Sequence, residues 1–231
     1  ERPFSPGMEV GGVVSGVGDG VTQVKLGQRV MALTGEGAYA EKVVVEEKGV
    51  FAIPDSMGFD EGASFPVAYG TSHLGLRHRG NLKAGEVLVV HGAAGGVGLT
   101  AVEIGKHLGA TVIATAGSPE KLEVAKAHGA DHCIDYSKED IRQRVLELTD
   151  KRGADVIYDP VGGDVFDASM RCVAWEGRIL VIGFAAGRIP TAAANYLLVK
   201  NCAAIGVFWG AYIDRDPATL RAGMEELVGW Y

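Results

Sequence analysis

Cysteine is scarce: three in 231 residues, at positions 133, 172 and 202, with no Cys-x-x-Cys pair. This excludes a disulfide framework and a thiolate zinc site. It points to a reducing compartment, read as cytoplasmic with the organelle left open, in which each cysteine serves as a small buried apolar residue. Basic charge is also short. Lys and Arg number 22 against 29 Asp and Glu, a net charge of -7, and the densest basic cluster is Arg77-His78-Arg79. Nucleic acid and anionic membrane are therefore not expected as partners. No apolar run reaches the roughly 18 residues of a membrane span, and no signal peptide is expected. Glycine is plentiful, at 34 residues. It follows no period of three, which excludes collagen, and it gathers at the ends of apolar runs, as tight turns require.

Two patterns share the chain. Residues 1–66 read as β-rich, with short β-branched segments at Val10–Val17, Arg29–Ala32 and Ala40–Val45 and a strand ending at Ile53-Pro54. From residue 67 helical and strand signals alternate. Helices are expected over Ala68–Leu76, Gly96–Gly109, Pro119–His128, Lys138–Lys151, Asp164–Val173, Asn195–Lys200 and Pro217–Val228. Six strands are expected over Val87–Val90, Thr111–Ala116, His132–Tyr136, Asp155–Pro160, Arg178–Phe184 and Cys202–Phe208. Near-continuous apolar strands joined by crossover helices make a doubly wound parallel sheet, an α/β fold of Rossmann type. The chain begins without Met and ends on Trp230-Tyr231 within a helical pattern, and it reads as part of something longer.

The chemistry concentrates where the first of the six strands ends, at His91-Gly92-Ala93-Ala94-Gly95-Gly96-Val97-Gly98. A glycine turn between a strand and a helix is where a dinucleotide pyrophosphate sits. Gly95 and Gly98 occupy the second and third positions of the G-x-G-x-x-G fingerprint, and Ala93 occupies the first. A structural turn without ligand is the competing reading. The end of the second strand selects the dinucleotide. Thr115-Ala116-Gly117-Ser118 holds no acid, where an NAD site usually places one on the ribose 2′-hydroxyl. Ser118 caps a helix that Pro119 opens. Lys121 then lies in the first turn, where a cation opposes the helix dipole unless an anion sits there. A 2′-phosphate, met by Ser118, Lys121 and the free amides with Tyr136 alongside, makes the expected cofactor NADPH. A plain solvated lysine is the alternative for Lys121, and Glu120 is expected to point to solvent.

Together these segments resemble the zinc-free quinone oxidoreductase (zeta-crystallin-like) branch of the medium-chain dehydrogenase/reductase superfamily. The residues that carry the resemblance span nearly the whole chain: Pro6-Gly7-Met8-Glu9, Gly27-Gln28-Arg29-Val30, Gly37-Ala38-Tyr39-Ala40-Glu41, Tyr69-Gly70-Thr71, Ala93 to Gly98, Gly129-Ala130, Asp159-Pro160-Val161-Gly162-Gly163, Gly177-Arg178 and Gly183-Phe184. Ala is common in the family at the first fingerprint position. The resemblance implies that residues 1–66 are part of a GroES-like catalytic domain. It implies that residues 67–231 are the Rossmann NADPH-binding domain, with the C-terminal return to the catalytic domain absent. It also implies cofactor contacts at Thr71, Gly95, Gly96, Val97, Gly117, Ser118, Lys121, Tyr136, Val161, Gly183, Phe184, Phe208 and Trp209. For Phe184 and Phe208 plain packing is the competing reading, and Tyr39 is read as structural.

Zinc-dependent relatives carry His where this chain has Met8, and Cys where it has Phe65-Pro66-Val67. A thioether is a poor zinc ligand, and His128, His132 and Cys133 are not expected to aim together, so no metal is expected. Without a Lewis acid, acceptors that take hydride readily are favoured. The expected activity is hydride transfer from NADPH to a quinone or an α,β-unsaturated carbonyl, with no proton donor assigned. A non-catalytic NADPH-binding protein and an alcohol dehydrogenase-like carbonyl reductase are the alternatives. The expected partner is a second copy, paired through the sixth strand.

Overall fold

The computed structural model describes residues 4–231. Residues up to Gly70, together with Trp209–Tyr231, form one compact unit; Thr71–Phe208 form a second.

In the first unit, three antiparallel strands lie side by side: β1 (Glu9–Val13), β2 (Arg29–Leu33) and β3 (Val50–Ala52). Val30, Ala32 and Val50 form their buried face, with Val10, Val14, Val24 and Val45 packed against it. The strand expected over Ala40–Val45 does not form. Val45 turns inward and Val44 is fully exposed, so the segment alternates like a strand while pairing with none.

Helix α1 (Phe59–His73) follows, nine residues longer at its start than expected. Pro66 lies inside it and disturbs the turn that precedes it. The amide of Val67 donates instead to the Glu9 carboxylate, at 2.8 Å. Burial pushes the Glu9 carboxyl above the usual carboxylate range, and the Val67 amide partly offsets this.

Two more helices end the chain, α7 (Tyr212–Arg215) and α8 (Pro217–Trp230). Asp216 caps α8, accepting from the Thr219 amide at 3.1 Å, with Pro217 opening the helix. Leu220, Met224 and Leu227 bury its inner face. Arg221 donates to the carbonyls of Glu47 and Val50, at 3.4 and 3.3 Å, and lies 5.1 Å from the Phe51 ring. These contacts place Trp209–Tyr231 with the β-rich unit, where the division expected from the sequence put everything after residue 66 in the dinucleotide domain.

The second unit is a six-stranded parallel sheet: β4 (Val87–Val90), β5 (Thr111–Ala116), β6 (His132–Asp135), β7 (Ala154–Asp159), β8 (Val173–Val181) and β9 (Ala203–Gly206). Its order is β6-β5-β4-β7-β8-β9. The crossovers are α2 (Gly96–His107), α3 (Pro119–Ala127), α4 (Ile141–Leu148), α5 (Gly163–Cys172) and α6 (Ala194–Lys200). Val89, Ile113, Ile134, Ile157 and Ile179 fill the middle of the sheet, with Ile141, Val145, Phe166 and Met170 packed from the helices.

β8 starts five residues before the expected Arg178, because it passes through a bulge. Glu176 there has φ 58°, and pairing resumes on both sides. The direction of winding reverses between β4 and β7, which are neighbours in the sheet. Such a switch point opens a crevice at the carboxyl ends of the strands.

Candidate functional site

The crevice is lined first by the glycine loop. The Ala93 amide donates to Thr115 O, at 3.1 Å, and the Gly95 amide to Gly92 O, at 2.9 Å. This folds the turn back on β5. The first amide bonded within α2 is that of Leu99, to Gly95 O at 2.8 Å. The amides of Gly96, Val97 and Gly98 precede it at the positive end of the helix. Gly95 and Gly96 are exposed, and a Cβ on Gly96 would meet nothing. Gly98 is different: a Cβ there would run into Gly92 O, far inside van der Waals contact. Glycine at this position lets the helix approach its own turn. Ala93 is fully buried beneath the loop.

Below the loop lies a buried polar chain that joins three elements. His91 is fully buried; its Nδ1 lies 2.9 Å from Thr115 Oγ1 and its Nε2 2.9 Å from Ser169 Oγ. Ser169 donates its hydroxyl proton to Val165 O, at 2.8 Å. It must therefore accept from His91 Nε2–H, which leaves Nδ1 to accept from Thr115. Burial lowers the His91 pKa to about 4, opposed by the charge of Asp159, so the ring is neutral at physiological pH.

A second chain centres on Ser72. Its hydroxyl donates to Val97 O, in the first turn of α2, at 2.8 Å, and lies 2.8 Å from both Thr100 Oγ1 and Tyr158 Oη. This ties the residue next to Thr71 directly to the loop.

At the end of β7, Asp159 Oδ1 accepts from the amides of Val161 and Gly162, at 2.8 and 2.9 Å. The second oxygen is buried without a hydrogen-bond partner among the described residues. The turn held in this way sets Val161 over the loop: a Cβ on Gly92 would lie 3.3 Å from Val161 Cγ2. Phe184, after β8, covers Gly162 in the same manner, at 3.1 Å.

At the end of β5, Ser118 caps α3, its oxygen 3.5 Å from the Lys121 amide. Tyr136 lies over Gly117, where a Cβ would be 3.0 Å from the ring. Lys121 is exposed. Glu120 is exposed too, as expected, and the Ser118 hydroxyl and its own amide hold its carboxyl below the usual carboxylate range.

Residues 96–228 match the family described as zinc-binding dehydrogenase, and residues 1–55 match the alcohol dehydrogenase GroES-like domain. The chain is 41% identical over 232 residues to a quinone oxidoreductase-like protein 2 homolog of Nematostella vectensis, covering 100% of this chain and 64% of that protein. The crystal structure of a Pseudomonas syringae quinone oxidoreductase superposes with a TM-score of 0.91 at 38% identity, over 99% of this chain and 70% of that one. The chain belongs to the quinone oxidoreductase branch of the medium-chain dehydrogenase/reductase superfamily. An Escherichia coli quinone oxidoreductase of this branch, solved in complex with NADPH, superposes with a TM-score of 0.88 at 30% identity, over 99% of this chain and 70% of that one. The chain thus spans about two thirds of the length of its branch relatives, 64% in the curated case.

Twelve of the thirteen residues that the branch resemblance pointed to lie in the parallel-sheet unit. The loop residues Gly95, Gly96 and Val97, then Gly117, Ser118, Lys121 and Tyr136, and then Val161, Gly183 and Phe184 all follow strand carboxyl ends. Thr71 is buried in the last turn of α1, and Phe208, beyond β9, is exposed at 77%. Trp209 is the exception. It belongs to the other unit, buried with its indole against Gly70, where a Cβ would lie 2.5 Å from the ring. His91, Ser72 and Asp159 escaped sequence reasoning as site-shaping groups. A buried histidine just before the loop was the one local signal, and its partners lie 24 and 78 residues away.

Proposed function

We propose that this chain is the cofactor-binding portion, with part of the catalytic portion, of a reductase that passes hydride from NADPH to quinones or α,β-unsaturated carbonyls without zinc. In this reading Thr71–Phe208 hold the cofactor, and residues up to Gly70 with Trp209–Tyr231 belong to the GroES-like catalytic portion. The observation that carries it is the crevice at the β4/β7 switch point, with the α2 amides on one side and Ser118, Lys121 and Tyr136 at the end of β5. The NADPH complex of the E. coli relative supports it.

The residues present fit the group. The start of α2, where Gly95 and Gly96 are exposed, suits a pyrophosphate, and Lys121 with the Ser118 hydroxyl suits a 2′-phosphate. Thr71, Val161, Gly183, Phe184 and Phe208 are assigned to the nicotinamide end. The bound cofactor supplies the hydride. The chain supplies binding and orientation, with the Asp159-held turn and the Ser72 tether keeping the loop in one geometry.

The donor set supports the zinc-free reading. Met8 is a thioether and exposed, Glu9 is taken by the Val67 amide, and no group of three His, Cys, Asp or Glu fit for a metal occurs among the described residues. An acceptor that needs no Lewis acid follows from that.

Full-length protein mixed with NADPH and a panel of quinones and enones is expected to lose absorbance at 340 nm, the absorption of the reduced nicotinamide. No turnover across the panel, with tight NADPH binding, would leave a binding protein in place of an enzyme. Stoichiometric zinc by metal analysis would overturn the zinc-free reading. Lys121→Ala is expected to weaken NADPH binding by about 1.5 to 3 kcal/mol, as for a charge-assisted hydrogen bond, with NADH nearly unchanged. Equal loss for both cofactors would sink the 2′-phosphate assignment.

A further inference from the structure

We propose that Arg188 is a positioning residue for the nicotinamide half of the cofactor: its guanidinium, shared by Asp164 and Asp167, latches the loop after β8 onto the start of α5 and so fixes Phe184 at the crevice. The inference rests on the NADPH reading above and adds a residue that acts through Phe184 rather than by touching the cofactor.

Two loops meet at this end of the crevice, residues 159–163 after β7 and residues 182–188 after β8. Their backbones are zipped together. Asp159 O accepts from the Ile182 amide at 3.0 Å, Pro160 O from the Ala185 amide at 3.1 Å and Val161 O from the Ala186 amide at 2.9 Å. The Gly163 amide, at the start of α5, donates in return to Arg188 O, at 3.1 Å. Between these contacts the second loop doubles back. The Gly187 amide donates to Phe184 O at 2.8 Å, with φ 81° at Gly187. The turn brings Phe184 and Arg188 onto one residue: a Cβ on Gly162 would lie 3.1 Å from Phe184 Cδ1 and 3.3 Å from Arg188 O. Where Arg188 sits therefore fixes where Phe184 sits.

The Arg188 side chain closes the far end of the zipper. Asp164 and Asp167 are three residues apart on α5, hence on one helix face. Arg188 Nη2 donates to both, to Asp164 Oδ1 at 2.9 Å and to Asp167 Oδ2 at 2.5 Å. One nitrogen with two hydrogens thus serves two carboxylates. Beyond the latch the chain is held loosely: residues 189–193 form neither helix nor strand, and Ile189 is 72% exposed. Without the ion pairs the loop frays from this end, and a nicotinamide must order it on binding. The adenosine end, at the end of β5, meets no such cost.

The test compares two ligands that share the adenosine 2′-phosphate end. NADPH carries the nicotinamide, and adenosine 2′,5′-bisphosphate does not. Binding of each to full-length protein is measured by titration calorimetry for wild type, Arg188→Ala and the double variant Asp164→Asn/Asp167→Asn, with melting temperatures to establish that each is folded. Both variants are expected to weaken NADPH about three- to fivefold, the reach of an exposed ion-pair network, and to leave the bisphosphate unchanged. They change the net charge in opposite directions, so a general field would move anion binding in opposite directions.

If Arg188→Ala weakens both ligands alike, or neither, while wild type binds the bisphosphate, the latch falls and the NADPH reading stands. If Arg188→Ala weakens NADPH while the double variant leaves it unchanged or tightens it, the ion pairs are not the cause and the latch falls. If wild type does not bind the bisphosphate, the 2′-phosphate reading falls and takes the proposal with it.

Discussion

Single residues in the loop carry unequal weight, and the structure ranks them. Gly96 and Gly98 look alike in the sequence. A side chain on Gly96 projects into open space, whereas one on Gly98 collides with the Gly92 carbonyl. Gly98→Ala is therefore expected to displace the turn and weaken dinucleotide binding with a clear loss of thermal stability, while Gly96→Ala keeps the melting temperature and affects binding alone. His91 makes a second residue-scale prediction. Its folded pKa, about 4, lies below the unfolded value of 6.5. The unfolded chain therefore binds the extra proton first. The stability that neutral His91 contributes is present above about pH 6.5 and is lost as pH falls towards 4, on the order of 3 kcal/mol in all. Urea unfolding of wild type and His91→Gln between about pH 7 and pH 4.5 checks this. The variant should show a flatter acid limb, and parallel limbs would remove His91 as its cause.

Among the elements, α1 and β1 show how a local rule is broken and repaired. Pro66 disturbs a helix that the flanking residues favour, and Glu9 answers the Val67 amide from a strand 58 residues away. Because burial raises the folded pKa of Glu9 above its ordinary value, its contribution is full below the unfolded pKa and declines as pH rises through the raised one. Glu9→Gln is accordingly expected to gain stability relative to wild type as pH rises from about 4 to about 7, read as a widening difference in melting temperature. A constant difference would show that folding leaves the Glu9 pKa where it is in the unfolded chain. The element errors have physical causes of the same kind. Residues 40–45 have the alternation of a strand but pair with no strand among the described residues. β8 hides its first half behind a left-handed Glu176 that no propensity anticipates.

At the scale of the whole molecule, the free edge of the sheet matters most. β9 ends the strand order, and Ala203, Ala204 and Gly206 on it are exposed, with Leu198, Val199 and Phe208 nearby in the chain and exposed as well. An apolar edge of this kind invites pairing, and we propose that a second copy covers it. Full-length protein is expected to sediment as a dimer. Replacing Ala203 and Ala204 with Lys should yield a monomer that still binds NADPH, and a wild type that sediments as a monomer would end the proposal. Across the chain, the return of α8 to β3 was the feature the sequence concealed. A capped amphipathic helix after a Rossmann pattern looks like one more crossover, and nothing in its period names the surface it covers.

The sequence by itself determined the alternation of strand and helix, the glycine loop after the first parallel strand, the capped helix at Ser118 and the absence of an acid just before it. These are local matters of periodicity, turn chemistry and capping, decided within a few residues. Tertiary structure alone decided the strand order that opens the crevice at β4 and β7. It also decided the burial that keeps His91 neutral, the Ser72 tether between Thr71 and the loop, and the unit to which Trp209 belongs. Each depends on groups brought together from distant positions or on the direction a side chain takes once its backbone is set, and neither is written in the order of the residues.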